Sequence, residues 1–405
     1  MKSNYKPLGK FIKEVKVRNS ELKAKKLLGI NIDKFFMPSV ANVIGTDMSV
    51  YRIVKTNQFA CNRMHVGRDK RLPVALSKIE EDFMVSPAYD VFEIIDSDVL
   101  LPEYLMMWFT RKEFDRNSWF YTDADVRGGF AWKAFTDMQL PIPTIEKQKE
   151  IIKEYHILVD RIALNNQLIA KLEETAQAIY KQWFVDFEFP DEMGLPYKSN
   201  GGEMTESELG EIPFGWENVK LSSIINIKDG THDSPNPVEN GFPLVTSTHL
   251  NLYDISISET YNISSEDFLQ TNKRSKVDKY DILFSMIGTV GLVNYVLYDK
   301  INFAIKNVGL FKTSEKKEIA EYILFYLKSD YMKLYLASNP NGSTQSYVTL
   351  GFLRDMPIIL PDRNIVLKFE KMSRQIIDSI LLKVKENNLL SELKDLLLSK
   401  LATIK

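Results

Sequence analysis

The chain has 405 residues, 44% of them hydrophobic and 26% charged, with a formal net charge of −2. That is the composition of a folded protein of two or three domains. It excludes a disulfide-stapled protein, because Cys61 is the lone cysteine, and a helical membrane protein, because no run of 18 or more apolar residues occurs.

Cys61 reads as a small buried apolar residue in a reducing compartment. The start, MKSNYKPLGKFIKEVKVRN, has no apolar segment of the signal-peptide kind, so a cytoplasmic location is expected.

Residues 1–144 read as a first globular unit. Short strand-like runs lie at Tyr51–Lys55, Phe59–Met64 and Tyr89–Ile95, and one helix is expected at Pro102–Phe114. Between Arg52 and Arg71 six cations (Arg52, Lys55, Arg63, Arg68, Lys70, Arg71) and His65 face a single acid, Asp69. Such a run is either a solvated face or a phosphate-contacting patch. Pro141 and Pro143 then break the chain, and Thr144 is placed to cap a helix starting just after it.

Residues 145–185 hold the stretch that organises the chain. Glu146–Phe184 contains neither Pro nor Gly. Tyr155, Ile162, Ile169, Ala176 and Trp183 recur every seven residues, with Leu158, Asn165, Leu172 and Ile179 at the second seam position. This heptad pattern predicts one long helix of about 39 residues, roughly 58 Å, with a narrow apolar stripe. Residues 186–211 are rich in Gly and Pro and read as a connector without regular elements.

A second globular unit is expected at 212–361. Its strand-like runs are Phe242–Ser247, Tyr280–Ile287 and Val290–Tyr298, with a helix at Ile319–Leu336. Residues 362–405 form a second long helix, in which Ile376, Ile380, Leu390, Leu397 and Leu401 make the stripe and Asn387 falls in the seam. The two stripes can cover each other as a coiled coil, or the helices can be core elements of one domain. Their length and narrowness favour the coiled coil. Seam asparagines fix register at a cost in stability, so Asn165 and Asn387 read as alignment devices.

The halves match at an offset of 218 residues. Glu103-Tyr104 falls on Glu321-Tyr322, Asp137-Met138 on Asp355-Met356, Pro143 on Pro361, and Ile162 and Leu172 on Ile380 and Leu390. The same order of unit, short helix, proline-marked strand and long helix occurs twice, which predicts two tandem copies of one α+β module. Antiparallel pairing of the long helices would relate the copies by a pseudo-twofold axis, which suits a two-part DNA site with a fixed gap.

Three stretches carry a family resemblance: Leu140–Ile151 (LPIPTIEKQKEI), Gly201–Ile224 (GGEMTESELGEIPFGWENVKLSSI) and Asp229–Pro235 (DGTHDSP). With them the chain resembles, over essentially its whole length, the specificity subunit of type I restriction–modification systems. The resemblance implies two target-recognition domains, each reading half of a split site in double-stranded DNA, separated by two long helices. It further implies docking of two methyltransferase subunits and of restriction subunits, with no catalytic centre in this chain. S-adenosylmethionine, ATP and Mg would be used by the complex and not bound here. The first unit lacks a GTHxSP-like sequence, and its Asp123–Trp132 differs from Pro340–Leu350, as expected if the halves read different sequences.

A catalytic reading has less to stand on. The four histidines have no partners at metal-ligand spacing, and no GxxxxGK[ST] loop occurs. SNPNGS at 338–343 lacks the second proline and the aromatic residue of an amino-methyltransferase motif. Pro361-Asp362 and Glu392-Leu393-Lys394 match a nuclease core in form, but lie about 30 helical residues, roughly 45 Å, apart. A stand-alone methylase or nuclease and a coiled-coil adaptor without a DNA role are the alternatives.

Base reading needs paired donors and acceptors. In the second unit Lys228, Thr231, His232 and Ser234 have that chemistry, as do Ser247, Thr248, Thr344, Gln345 and Ser346. In the first unit the candidates are Arg63, His65, Arg68, Lys70, Arg71 and Arg127. The bland reading of DGTHDSP is a turn shaped by Asp229 and Gly230.

Overall fold

The computed structural model describes residues 4–41, 44–64, 66–122, 129–338 and 347–404. The chain divides into two compact units, Met1–Ala163 with Asn388–Lys405, and Leu164–Asn387. Each unit therefore takes part of both long helices.

The first unit is built on a four-stranded antiparallel sheet in the order Ile12–Val15, Asp90–Ile94, Phe59–Cys61, Val74–Leu76. Side chains alternate across a strand, so Phe59, Cys61, Val74 and Phe92 face one core and Ala60 and Val91 another. Phe59 and Phe92, directly paired, stack at 4.9 Å. The larger core is closed by the helices Pro102–Thr110, Lys112–Phe120 and Trp132–Asp137. Cys61 is fully buried there, and burial pushes its thiol well above the usual range.

The second unit repeats this plan. Its sheet runs Ile227–Asp229, Val308–Phe311, Ile282–Ser285, Val293–Tyr295, again antiparallel. Five elements then begin 218 residues after their first-unit counterparts: Ala320–Leu327, Asp330–Ala337, Leu350–Asp355, the strand Pro357–Leu360 after Gln139–Pro141, and the helix Arg363–Lys400 after Ile145–Phe184. In both units that strand pairs antiparallel with one from the unit's start, Tyr5–Pro7 or Glu217–Lys220. The chain is an α+β protein with an internal repeat.

Thr144 caps the first long helix, its hydroxyl accepting from Lys147 N at 3.3 Å. Along it Tyr155, Leu158, Ile162, Asn165, Ile169, Leu172, Ala176, Ile179 and Trp183 are all buried or half-buried. In the first unit Ile151, near the start of this helix, shares a core with Leu398 and Leu401 at the end of the other. In the second unit Ala176, Tyr180, Trp183 and Phe184 share one with Ile365, Phe369 and Ile377. Start meets end in one unit and end meets start in the other, so the pairing is antiparallel. Asn165 donates to Asn387 Oδ1 at 2.9 Å, and Asn387 donates to Asn166 Oδ1 at 2.8 Å. A one-residue slip would break both bonds and strand the amide of Asn165, which is only 2% exposed.

The structure corrects several expectations. The expected helix Pro102–Phe114 is two, bent at Arg111 (φ −66°, ψ 138°), whose guanidinium lies 4.2 Å from the Trp108 ring. The expected helix Ile319–Leu336 is interrupted at Ser329, whose hydroxyl caps the next helix by accepting from Met332 N. In the second long helix the expected stripe holds, with Ile380 and Leu401 buried and Ile376, Leu390 and Leu397 half-buried, and Ile365, Val366, Phe369, Ile377 and Leu398 are buried beside it. The connector is not irregular. Met204–Ser207 and Gly210–Pro213 form a hairpin, with Gly210 at φ +94° closing its two-residue turn. Phe189 stacks between Tyr197 (4.6 Å) and Trp216 (5.0 Å). Gly and Pro density signals turns, and here aromatic anchors order them.

Candidate nucleic-acid interface

In the second unit the edge strand Ile227–Asp229 carries the chain from core to surface. Ile227 is buried, and Asp229 is buried as well, its side chain 4% exposed. The Asp229 carboxylate takes His232 Nε2 at 3.0 Å on one oxygen and the Arg274 guanidinium on the other. Both partners are surface groups, with side chains 63% and 55% exposed. The buried Asp229 carboxyl thus fixes two exposed side chains in position, the arrangement that preorganises a surface.

The turn after Asp229 is held by backbone pairing. Gly230 N donates to Val308 O, Thr231 N to Ile305 O, and Asn307 N to Thr231 O, at 2.9–3.1 Å. A side chain at Gly230 would meet Ile305 O at 2.4 Å, so this crossing requires glycine. His232 Nδ1 lies 2.7 Å from Asn307 Oδ1, and Lys306 Nζ donates to Ser234 Oγ. Ser247 Oγ sits at 3.5 Å from Asn307 O, and Thr248 Oγ1 at 3.0 Å from Thr246 Oγ1, on the 3₁₀ turn Ser247–His249. Lys228, mid-strand and half-buried, has no ion-pair partner among the described residues.

The structure therefore brings Thr231, His232, Ser234 and Ser247 to one polar surface, with Lys228 and Thr248 on the adjoining strand and turn. It adds three residues that sequence reasoning missed: Arg274, Lys306 and Asn307. Arg274 ends the helix Ser265–Ser275, and Asn307 takes a left-handed backbone (φ 53°) between two short strands. Neither belongs to a local motif, and only the fold brings them to Asp229. Thr344, Gln345 and Ser346 lie outside the described residues.

In the first unit the candidates separate. Arg63 is a structural tie: Nε donates to Asp90 Oδ2 at 2.6 Å, a terminal nitrogen donates to Phe130 O, and the guanidinium lies 5.4 Å from the Trp132 ring. Arg68, Lys70 and Arg71 gather on and after the short helix Val66–Asp69 and face solvent. Arg68 pairs with Asp69 at 2.6 Å, Arg71 with Asp33 at 3.0 Å, and Lys70 stands 4.9 Å from the Trp119 ring. His65 and Arg127 lie outside the described residues. Among the described residues no group of three or more His, Cys, Asp or Glu side chains is placed to hold a metal ion, and no helix is long and apolar enough to cross a membrane.

Residues 213–395 match the family model of the type I restriction modification DNA specificity domain. The match spans most of the second globular unit and much of the second long helix, and the curated relatives similar to this chain are type I specificity subunits. It is 24% identical over 428 residues to the type I restriction enzyme HindI specificity subunit of Haemophilus influenzae, covering 91% of each chain. It is 24% identical over 319 residues to the MjaIX specificity subunit of Methanocaldococcus jannaschii, covering 76% of this chain and 70% of that one. Its fold is similar to the crystal structure of the type I restriction–modification S subunit from M. genitalium, with a TM-score of 0.52 at 12% identity over 98% of this chain and 95% of the other. The matched segment contains the whole Asp229 cluster, and the likeness to the HindI specificity subunit, over 91% of this chain, takes in the first unit as well.

Proposed function

We propose that this chain is the DNA-reading subunit of a type I restriction–modification complex. Each unit reads one half of a split site in double-stranded DNA, and the antiparallel helix pair sets the gap. The chain itself is non-catalytic and cytoplasmic. It docks methyltransferase and restriction subunits, which hold the S-adenosylmethionine, ATP and Mg used by the complex. The single observation that carries this reading is the repeat: one α+β unit occurs twice, each copy leading into a long helix, at an offset of 218 residues held over five successive elements.

In the second unit the readers are Thr231, His232 and Ser234, joined by Arg274 and Asn307 around Asp229, with Lys228, Ser247 and Thr248 beside them. Arginine, asparagine and hydroxyl side chains supply the paired donors and acceptors of base edges and the donors of phosphate contacts. In the first unit the exposed Arg68, Lys70 and Arg71 supply phosphate contacts. The near-neutral net charge of −2 assigns much of the remaining phosphate contact to the partner subunits.

Exchange of residues 212–361 for the matching segment of a related specificity subunit tests this division of labour. The methylated motif is expected to change in one half only, with the other half and the gap retained. A change in both halves would contradict two independent readers.

A further inference from the structure

In the first unit the helix Lys112–Phe120 ends on three aromatic residues open to solvent. Trp119 is 43% exposed, Phe120 78% and Tyr121 55%. The backbone beneath them is fixed. Tyr121 N donates to Asn117 O at 3.2 Å, and the Thr122 hydroxyl donates to Trp119 O at 2.7 Å. The Phe120 and Tyr121 rings meet edge-on at 5.2 Å. One cation touches them. Lys70 Nζ stands 4.9 Å from the Trp119 ring centre. Arg116, one turn before Phe120 on the same face, is exposed, and so is Arg68.

The architecture does not require these rings. The matching helix of the second unit, Asp330–Ala337, has Ala337 and Ser338 where the first has Trp119 and Phe120. Adjacent large apolar groups left in water mark a contact surface. Their setting selects the partner. Protein–protein interface cores are depleted in lysine, whereas Lys70 on the Trp119 ring and the exposed Arg116 supply cations of the kind that meet a phosphate backbone.

We propose that Trp119, Phe120 and Tyr121, together with Lys70, form a duplex-DNA contact of the first unit. Lys70 and Arg116 meet phosphates, and the rings lie against sugars and base edges at the margin of the first half-site. This rests on the DNA-reading function proposed above.

The test uses the full chain co-expressed with its methyltransferase subunit. Affinity is measured on a duplex carrying the split motif found by methylome sequencing, and on one with the first half scrambled. F120S/Y121S is expected to bind the motif duplex roughly tenfold or more weakly, the scale of losing the burial of large apolar side chains. Its melting temperature and co-purification with the methyltransferase should be unchanged. K70M is expected to weaken binding to both duplexes and to lower the salt slope by about one. Parental affinity in F120S/Y121S would overturn the assignment while leaving the DNA-reading function intact. Loss of methyltransferase co-purification would make the patch a protein-docking face and overturn it equally. If the parent complex does not distinguish the two duplexes, the DNA-reading function fails and the patch assignment fails with it.

Discussion

Replacing Arg374 with methionine is expected to destabilise the second unit by about 3–5 kcal/mol at pH 8, the scale of breaking a buried ion pair from one side. Arg374 projects from the second long helix and donates to Glu321 Oε1 at 2.6 Å, where the Tyr295 hydroxyl also donates at 2.8 Å. Glu321 is fully buried, and its second oxygen has no hydrogen-bond partner among the described residues. Burial pushes this carboxyl up to about 7, with Arg374 and Tyr295 pulling the other way. A carboxyl raised on folding contributes stability at pH below its unfolded value, near 4.5, and that contribution is lost as pH rises through about 7. Removing Arg374 raises the carboxyl further. The deficit of R374M should therefore shrink by roughly 1 kcal/mol or more between pH 8 and pH 5.5. Adding E321Q, which keeps the shape and removes the charge, should recover part of the loss at pH 8. Denaturant unfolding at the two pH values measures this, and an equal deficit at both would place its source elsewhere.

The second large effect is expected at Asp229. In D229N the carboxylate that holds His232 and Arg274 is gone, yet both partners reach water, so no unpaired charge is buried and the unit should fold. What is lost is position. Each well-placed base contact contributes about 1–3 kcal/mol of discrimination, so specificity for the second half-site should fall roughly tenfold or more. Non-specific binding should hold or rise, because the change removes a negative charge from the binding face. Competition between motif duplexes altered in either half separates the two effects. Undiminished discrimination of the second half would contradict the role given to this cluster.

The parts of the molecule legible in sequence are those with a period or an offset. The heptad from Tyr155 to Trp183 reports burial directly, because every seam position carries an apolar side chain or, at Asn165, a paired amide. The 218-residue offset is visible in scattered identities because the later elements of each unit keep exact spacing from Pro102 and Ala320 onward, while the early strands differ in length and spacing. The order of the connector is hidden because it comes from aromatic stacking across Phe189, Tyr197 and Trp216, which leaves no period. The polar site is half legible. Asp229, Thr231, His232 and Ser234 stand together in one motif, but Arg274 lies 45 residues from Asp229 and Asn307 lies 75 from His232, and sheet topology alone unites them. In the first unit the basic run looks uniform in sequence, yet Arg63 is an internal tie and Lys70 sits on an aromatic ring, a difference that depends on which neighbours the fold supplies.

The most direct test of the central claim is methylome sequencing of cells carrying this chain with its neighbouring methyltransferase, against cells lacking this chain alone. The expected result is a split motif, methylated in the first and unmethylated in the second. Identical methylation in both would contradict the assignment of sequence reading to this chain.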